Sequence, residues 1–271
     1  MRELKGGMIV PETTPARLVA LQGGSNFRDI GGYRTADGGQ VRWGRVYRSA
    51  ALHRLTRADL TAMEELDLRV VYDLRIDEER ERAPSILPEG IRSELLPIGG
   101  TAAKTKQLTD LLVEGNLRSI PADFLVRIYE GMVESSAPVF GLLLTKLADA
   151  ENTPALFHCT AGKDRTGIAA ALLLSVLAVD ESTILDDYEL SSIHYTEYQI
   201  ARLKVKLENA GIEADRYRAV FGAPRHAMAT LLATLRERYG SPEGYLREEA
   251  GVTDEVFPAL RARLLEAPHG A

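Results

Sequence analysis

The residues that could do chemistry lie in one ten-residue stretch, from His158 to Gly167, between a short apolar run and a long apolar one. Its sequence is HCTAGKDRTG, and it contains the single cysteine of the chain, Cys159. A loop that closes directly onto a helix N-terminus points several backbone N–H groups inward, and these amides and the helix dipole favour a bound anion. The same field stabilises a thiolate. The pattern therefore predicts a phosphate cradle in which Cys159 attacks phosphorus.

Arg165 and Thr166 supply two further groups that such a cradle needs. A loop that curls around one phosphate returns Arg165 to face the cysteine, and the planar guanidinium fork matches two phosphate oxygens. Thr166 begins the helix, and we expect its hydroxyl to donate to the cysteine sulfur. Gly162 and Gly167 permit the backbone angles and the close approach that the loop requires. We expect Arg165 to bind both the substrate and the transition state.

The order His-Cys, five residues, then Arg-Thr resembles the signature of the protein tyrosine phosphatase superfamily. The whole string is similar to one branch, the atypical bacterial tyrosine and lipid phosphatases, and so are three N-terminal motifs: NFRDIGGY from Asn26, YRSA from Tyr47 and YDLR from Tyr72. The resemblance covers about residues 24 to 190. It implies hydrolysis of phosphotyrosine, with phosphoserine, phosphothreonine and phosphoinositides as further substrates. It also implies a phosphocysteine intermediate and no metal or other cofactor.

The resemblance assigns roles within the loop. Cys159 is the nucleophile and Arg165 binds phosphate, whereas Lys163 and Asp164 are additions that distinguish this branch. Asp164 is a candidate for the general acid that protonates the leaving oxygen. Lys163 adds positive charge at the mouth, which suits highly phosphorylated headgroups. The full set of phosphate-binding residues is Thr160, Ala161, Gly162, Lys163, Asp164, Arg165 and Thr166.

Asp73 is the alternative general acid. The chain has no Trp-Pro-Asp motif of the kind that typical tyrosine phosphatases carry on a separate loop. Asp73 follows a buried strand and could reach the loop, but it equally suits an ion pair with a nearby arginine at the edge of the sheet. We favour Asp164 as the acid.

Five residues are predicted to support the loop, and Asp73 is one of them. His158 is expected to be a hydrogen-bonding structural neighbour of the cysteine. Asn26, Arg28 and Asp29 either form a hydrogen-bonded turn that supports the loop or touch the substrate, and we favour support. Because the five histidines and the single cysteine are scattered along the sequence, no metal site is expected.

The elements that position these residues follow from periodicity and turn residues. Two β-compatible runs, 27–35 and 40–49, flank a turn at 37–39 and predict a hairpin. Thr56 is predicted to cap a helix, strands are predicted at 69–74, 91–97 and 155–157, and 77–82 indicates a solvated helical start. A polar connection with a helical middle, 99–116, precedes helices at 122–134 and 138–148. The alternation predicts an α/β fold. The resemblance specifies a tyrosine phosphatase-like central mixed sheet flanked by helices.

The rest of the chain is predicted to be helical. The apolar run 168–179 is expected to be a buried helix, since it is shorter than the roughly 18 to 20 residues of a membrane span. Amphipathic helices follow at 185–209 and 227–239. Residues 186–224 resemble the two-helix lid of some members of the branch, and the alternative is an ordinary helical subdomain. We predict an N-terminal extension, residues 1–22, and a single phosphatase domain, residues 23–271.

Composition limits the class of protein and its partners. A chain of 271 residues with 45% hydrophobic and 27% charged residues is typical of one soluble globular domain. The net charge of −6 disfavours nucleic acid as a partner. One cysteine and no signal-peptide pattern predict a cytoplasmic protein without stable membrane insertion, and secretion by a non-classical route remains open. The expected partner is a phosphorylated protein or phosphoinositide substrate. The alternative function is a recognition module that binds such phosphates without turnover.

Overall fold

A five-stranded mixed sheet forms the centre of the computed structural model, which describes residues 17–99, 123–209 and 221–266, together with 211, 213, 215 and 218. The strands of the chain are β1 (Arg28–Asp29), β2 (Gln40–Val41), β3 (Val46–Ser49), β4 (Val70–Asp73), β5 (Arg92–Leu95), β6 (Ala155–His158) and β7 (Leu265–Glu266). The central sheet has the order β1-β3-β6-β4-β5, with β1 antiparallel to β3 and the other neighbours parallel. β2 pairs with β7 separately.

Helices cover the central sheet. They are α1 (Arg57–Glu64), α2 (Asp77–Arg82), α3 (Phe124–Ser135), α4 (Ala137–Ala148), α5 (Asp164–Val176), α6 (Glu181–Ser191), α7 (Tyr198–Asn209), α8 (Arg225–Tyr239), α9 (Pro242–Glu248) and α10 (Val256–Leu264). A π-helical segment, Ser192–Glu197, joins α6 to α7. The predicted mixed α/β sheet flanked by helices is confirmed. Along the described ranges, no helix is both long and apolar enough to cross a membrane.

The sheet separates two hydrophobic cores, because successive side chains of a strand point to opposite faces. Tyr72 and Phe157 belong to the larger core, whereas Val71 and Leu156 belong to the smaller one, together with Met63 of α1. α5 is buried along almost its whole length and packs against β3, β6, α3, α6, α9 and α10. The loop between β6 and α5 is therefore held between two rigid elements.

The N-terminus of α1 is stabilised by a local sequence pattern. Thr56 accepts a hydrogen bond from the Asp59 amide, and the Asp59 side chain accepts one from the Thr56 amide at 2.8 Å, which together form a capping box. The predicted cap is confirmed. Asp59 also accepts the amides of Gln22 and Gly23, at 2.6 and 2.9 Å. The same carboxylate therefore caps the helix and holds the preceding segment of chain.

The predicted hairpin is correct at its turn and wrong in its strands. The turn at 37–39 forms, with a bridge between Arg34 and Gln40. The flanking runs also pair antiparallel through β1 and β3, but β2 pairs with β7 instead. Gly32 and Gly44 interrupt the runs, because their φ angles of +78° and +70° are incompatible with an extended strand.

Residues 17–22, the described part of the predicted extension, pack against the domain. Leu18 forms a bridge with Arg28, and the Val19 amide donates to the Phe27 carbonyl at 3.0 Å. Packing therefore begins before the predicted boundary at residue 22. Most of the predicted connection at 99–116 lies outside the described residues.

Candidate active site

The candidate loop lies at the carboxyl ends of three neighbouring strands. Cys159 follows β6 directly, and the flanking strands β3 and β4 end at Ser49 and Asp73. Cys159 is 1% exposed, whereas Thr160 at the rim is exposed. The sulfur is therefore at the floor of the loop, where a reacting group reaches it only by passing the rim.

Three successive carbonyls of this loop are bound from outside. The Thr160 carbonyl accepts the Ala51 amide at 3.1 Å, and the Ala161 and Gly162 carbonyls both accept the Asn26 side-chain amide at 3.0 Å. In a trans peptide the N–H points opposite to the C=O. The amides that follow these carbonyls therefore point to the inner side of the loop. None of the three has an acceptor within the described ranges.

Gly162 is the point where the loop turns. Its φ is +65°, and a Cβ at this position would lie 2.4 Å from the carbonyl oxygen of Ser49. Any other residue would both strain the backbone and clash with β3. The expectation that glycine is needed here has a definite steric cause.

Arg165 is held by a carboxylate from α2. Its Nη1 and Nη2 donate to Glu79 Oε2 and Oε1 at 2.6 and 2.7 Å, and Thr160 Oγ1 donates to the same Oε1 at 2.5 Å. Burial would lower the pKa of Arg165, but Glu79 and the charge of the Cys159 sulfur raise it above its usual value. The guanidinium therefore stays charged and is electrostatically coupled to the sulfur.

Glu79 was missed at the level of sequence. The stretch 77–82 is indeed a short helix without fully buried residues, as predicted, but it is not merely solvated. Burial would raise the pKa of Glu79, yet Arg165 and Thr160 hold it below its usual value, so the carboxylate is ionised. The contact joins residues 86 positions apart. The local signal, a carboxylate that also accepts the Ile76 amide at the start of α2, indicates a helix cap only.

Asp164 begins α5 at the rim of the loop, and its side chain is 26% exposed. Its Oδ1 accepts a hydrogen bond from the Tyr129 hydroxyl at 2.6 Å. Lys163 Nζ is 3.4 Å from the same oxygen. The carboxylate is thus anchored through one oxygen while remaining accessible at the mouth.

Lys163 does not present a free charge at the mouth, contrary to expectation. It is 5% exposed, and its Nζ donates to the carbonyls of Phe221 and Gly222 at 3.2 and 2.9 Å. A buried ammonium needs such acceptors because burial without them is unfavourable. Lys163 therefore ties the loop to the segment that precedes α8.

Asp73 forms the ion pair that the sequence left open. Arg75 Nε donates to Asp73 Oδ1 at 2.9 Å and Nη2 donates to Oδ2 at 2.7 Å. Burial would raise the pKa of Asp73, but these bonds and the Arg75 charge hold it below its usual value. Asp73 is therefore an ionised carboxylate, and both of its oxygens accept hydrogen bonds from Arg75.

His158 lies beneath the loop as a neutral side chain. Its Nδ1 is 3.1 Å from the Cys159 carbonyl, so this nitrogen carries the proton. Burial lowers the pKa of His158, although Asp73 opposes that effect. Its Nε2 is 3.7 Å from Asp73 Oδ2, which is too long for a hydrogen bond. The imidazole thus fixes the peptide that carries the cysteine.

Comparison with known proteins gives the family. The sequence model of the tyrosine phosphatase family matches residues 19–266. The chain belongs to the tyrosine phosphatase family. The tyrosine-protein phosphatase of Nostoc commune is 32% identical over 231 residues, which cover 81% of this chain and 74% of the relative. The triple specificity protein phosphatase PtpB of Mycobacterium tuberculosis is 29% identical over 275 residues, covering 90% and 98%.

Among solved structures, TpbA of P. aeruginosa matches 73% of this chain and 97% of its own, with 18% identity and a TM-score of 0.36. That similarity is too low to bear on function. The resemblance found in the motifs is confirmed by the family match.

The support of the candidate loop centres on Asp187 of α6. Arg28 Nε donates to Asp187 Oδ1 at 3.0 Å, and Arg48 Nη1 donates to Oδ2. Arg48 Nη2 also donates to the Gly162 carbonyl at 2.9 Å. Burial would raise the pKa of Asp187, but the two arginines hold it far below its usual range. No sequence motif indicates Asp187, which forms ion pairs with both buried arginines.

Of the three predicted supports near β1, two act on the loop. Asn26 binds its carbonyls, and Arg28 binds the Asn26 side-chain oxygen. Asp29 instead accepts the amides of Gly31 and Gly44, at 2.7 and 2.6 Å, so it organises the turns after β1. Burial raises the pKa of Asp29.

Thr166 also differs from expectation. The Thr166 hydroxyl is buried and makes no hydrogen bond with any described residue, so the expected bond to the sulfur is not formed.

In the predicted lid, 186–224, α6 contributes buried residues to the core. The Ala223 amide donates to Ser192 Oγ at 2.8 Å, which anchors the far end. A mobile lid between these anchors stays a prediction.

Proposed function

We propose that this chain is a cysteine-dependent phosphatase that hydrolyses phosphotyrosine through a phosphocysteine intermediate on Cys159, with phosphoserine, phosphothreonine and phosphoinositide monoesters as further substrates. The observation that carries the proposal is the loop itself. Its carbonyls are tied outward, its amides point inward, and the cysteine lies at its floor beside a charged guanidinium. Such a site suits a phosphate dianion and the charge that develops on it.

The chemistry has two steps. Cys159 Sγ attacks phosphorus, the bond from phosphorus to the leaving oxygen breaks, and Asp164 gives that oxygen its proton. Water then attacks phosphorus, Asp164 takes a proton from the water, and the S–P bond breaks to release phosphate. Arg165 and the inward amides bind the equatorial oxygens throughout.

Phosphotyrosine is the preferred substrate in this proposal. Because Cys159 is 1% exposed, phosphorus must pass the rim to reach it. An aryl side chain places phosphorus farther from the substrate backbone than a serine side chain does. We expect a higher kcat/KM for a phosphotyrosine peptide than for the phosphoserine peptide of the same sequence. Release of phosphate from these peptides and from phosphoinositide vesicles measures the breadth of specificity.

Trapping the intermediate tests the proposal. The protein is mixed with 4-nitrophenyl phosphate and quenched in acid within the first turnover. We expect mass spectrometry to find one added phosphoryl group on the peptide that contains Cys159. A recognition module without turnover would bind the substrates and release no phosphate from any of them. That result would refute the proposal.

Asp164→Asn and Asp73→Asn assign the general acid. We expect Asp164→Asn to lower kcat/KM for phenyl phosphate by about 10²- to 10⁴-fold. Asp73→Asn removes the negative charge that accepts two hydrogen bonds from Arg75. We therefore expect it to lower the melting temperature more than the rate. Steady-state kinetics and thermal melts on both variants separate the two roles. A larger rate loss in Asp73→Asn than in Asp164→Asn would reverse the assignment.

A further inference from the structure

Two buried tyrosines form a chain of hydrogen bonds that ends at the proposed general acid, Asp164. The Tyr129 hydroxyl lies 2.6 Å from Asp164 Oδ1 and also 2.6 Å from the Tyr188 hydroxyl. Tyr129 and Tyr188 are 0% and 1% exposed, and their rings meet edge to face at 6.3 Å. They come from α3 and α6, so three helices converge on one carboxylate at the start of α5.

The donor in each of these two hydrogen bonds follows from the number of hydroxyl protons. Tyr129 has one hydroxyl proton, and it donates this proton to Asp164 Oδ1. Tyr188 must then donate to Tyr129. Burial raises the pKa of Tyr129, and the charge of Asp164 and the neighbouring Tyr188 raise it further. Tyr129 therefore remains a protonated donor at neutral pH.

The hydrogen bond leaves Asp164 with two unequal oxygens. Oδ1 faces both Tyr129 and, at 3.4 Å, the ammonium of Lys163. Oδ2 has no partner among the residues the structure describes. An aspartate in the first turn of a helix otherwise has several rotamers. The anchor selects the orientation in which Oδ2 is available for proton transfer.

We propose that Tyr129, backed by Tyr188, is a positioning residue that holds Asp164 Oδ1 so that Oδ2 exchanges the proton with the leaving group. This inference rests on the proposed role of Asp164 as general acid. Tyr129 acts through Asp164 and does not touch the substrate. Its contribution is largest where the leaving group needs a proton.

Two aryl phosphates with different leaving groups test the inference. Phenolate leaves poorly without a proton, whereas 2,4-dinitrophenolate leaves readily as the anion. For Tyr129→Phe we expect kcat/KM to fall about tenfold with phenyl phosphate and to stay within about twofold with 2,4-dinitrophenyl phosphate. Tyr188→Phe keeps the donor to Asp164, so we expect a smaller loss in the same direction.

Tyr245→Phe is the matched control. Tyr245 is 1% exposed, and its hydroxyl donates to the Val133 carbonyl at 2.7 Å, so the variant also loses one buried hydrogen bond. We expect it to lose thermal stability as Tyr129→Phe does, without a change in the ratio of the two rates. An unchanged ratio in both Tyr129→Phe and Tyr188→Phe would overturn the inference, even if turnover fell.

Asp164→Asn separates failure of the inference from failure of the proposed function. If Asp164→Asn loses activity mainly on phenyl phosphate while Tyr129→Phe shows no such preference, the acid is correct and the positioning role is refuted. If Asp164→Asn loses equally on both substrates, Asp164 is not the acid, and the inference fails with it.

Discussion

Replacing Cys159 with serine abolishes turnover, with an expected loss of about 10⁴-fold or more in kcat toward 4-nitrophenyl phosphate. A serine hydroxyl is far less ionised than a thiol, so it is a much weaker nucleophile at neutral pH. The inward amides and Arg165 are unchanged, so the variant still binds inorganic phosphate. Steady-state kinetics and isothermal titration with inorganic phosphate measure the two properties on the same protein.

The control for Cys159→Ser is Ser175→Ala, a small change on the same helix that follows the loop. Ser175 Oγ donates to the Ala171 carbonyl at 2.8 Å, within α5 and away from the loop. We expect it to retain full activity. Residual hydrolysis by Cys159→Ser at a tenth of the native rate would exclude the covalent route. Loss of phosphate binding would show that the sulfur, rather than the amides, holds the anion.

Replacing Asp187 with asparagine has the largest expected effect on stability. It removes the counter-charge of Arg28 and Arg48, and all three side chains are at most 1% exposed. Leaving buried charges uncompensated typically costs about 3–5 kcal/mol. Equilibrium unfolding in urea measures the loss as a lower midpoint. Because Arg48 also holds the Gly162 carbonyl, we expect kcat/KM to fall as well.

The neighbouring Asp186 provides the control for this change. It pairs with Arg225 at the surface, and its side chain is 69% exposed, so Asp186→Asn should leave the midpoint almost unchanged. The folded-state pKa of Asp187 is depressed, so its stabilisation is present above the ordinary carboxyl pKa and is lost only in stronger acid. Equal midpoints for the two variants at neutral pH would contradict a central role for the buried ion pairs.

The sequence was sufficient for features that depend on neighbours along the chain. The capping box at Thr56 and the glycine turn at Gly162 are written in short patterns, and both are present. The layered fold follows from the order of elements. The string around Cys159 identified the family because it combines several rare requirements in ten residues. Features of this kind depend on residues that are close in sequence, so they can be predicted without knowing the tertiary contacts.

Contacts between distant segments could not be predicted in the same way. Glu79 lies in a charged stretch, Tyr129 in an amphipathic helix and Asp187 next to another aspartate, and nothing nearby distinguishes them. Each gains its role from a partner that the fold brings close. The predicted position of Lys163 at the mouth was wrong for the same reason, because the carbonyls that bind its ammonium group lie 58 and 59 residues away. The strand lengths near Gly32 were predicted wrongly because the backbone adopts a positive φ at this glycine, which ends the extended conformation.

The outward anchoring of the loop carbonyls limits what a transplant of HCTAGKDRTG into another strand and helix could achieve. Such a graft would carry the sulfur and the guanidinium, but the groups that turn the peptide planes, Asn26 and Arg48, reside more than 110 positions upstream. Without them the ten residues lose the orientation of their amides. A functional graft must therefore include the supporting side chains that orient the loop as well as the motif.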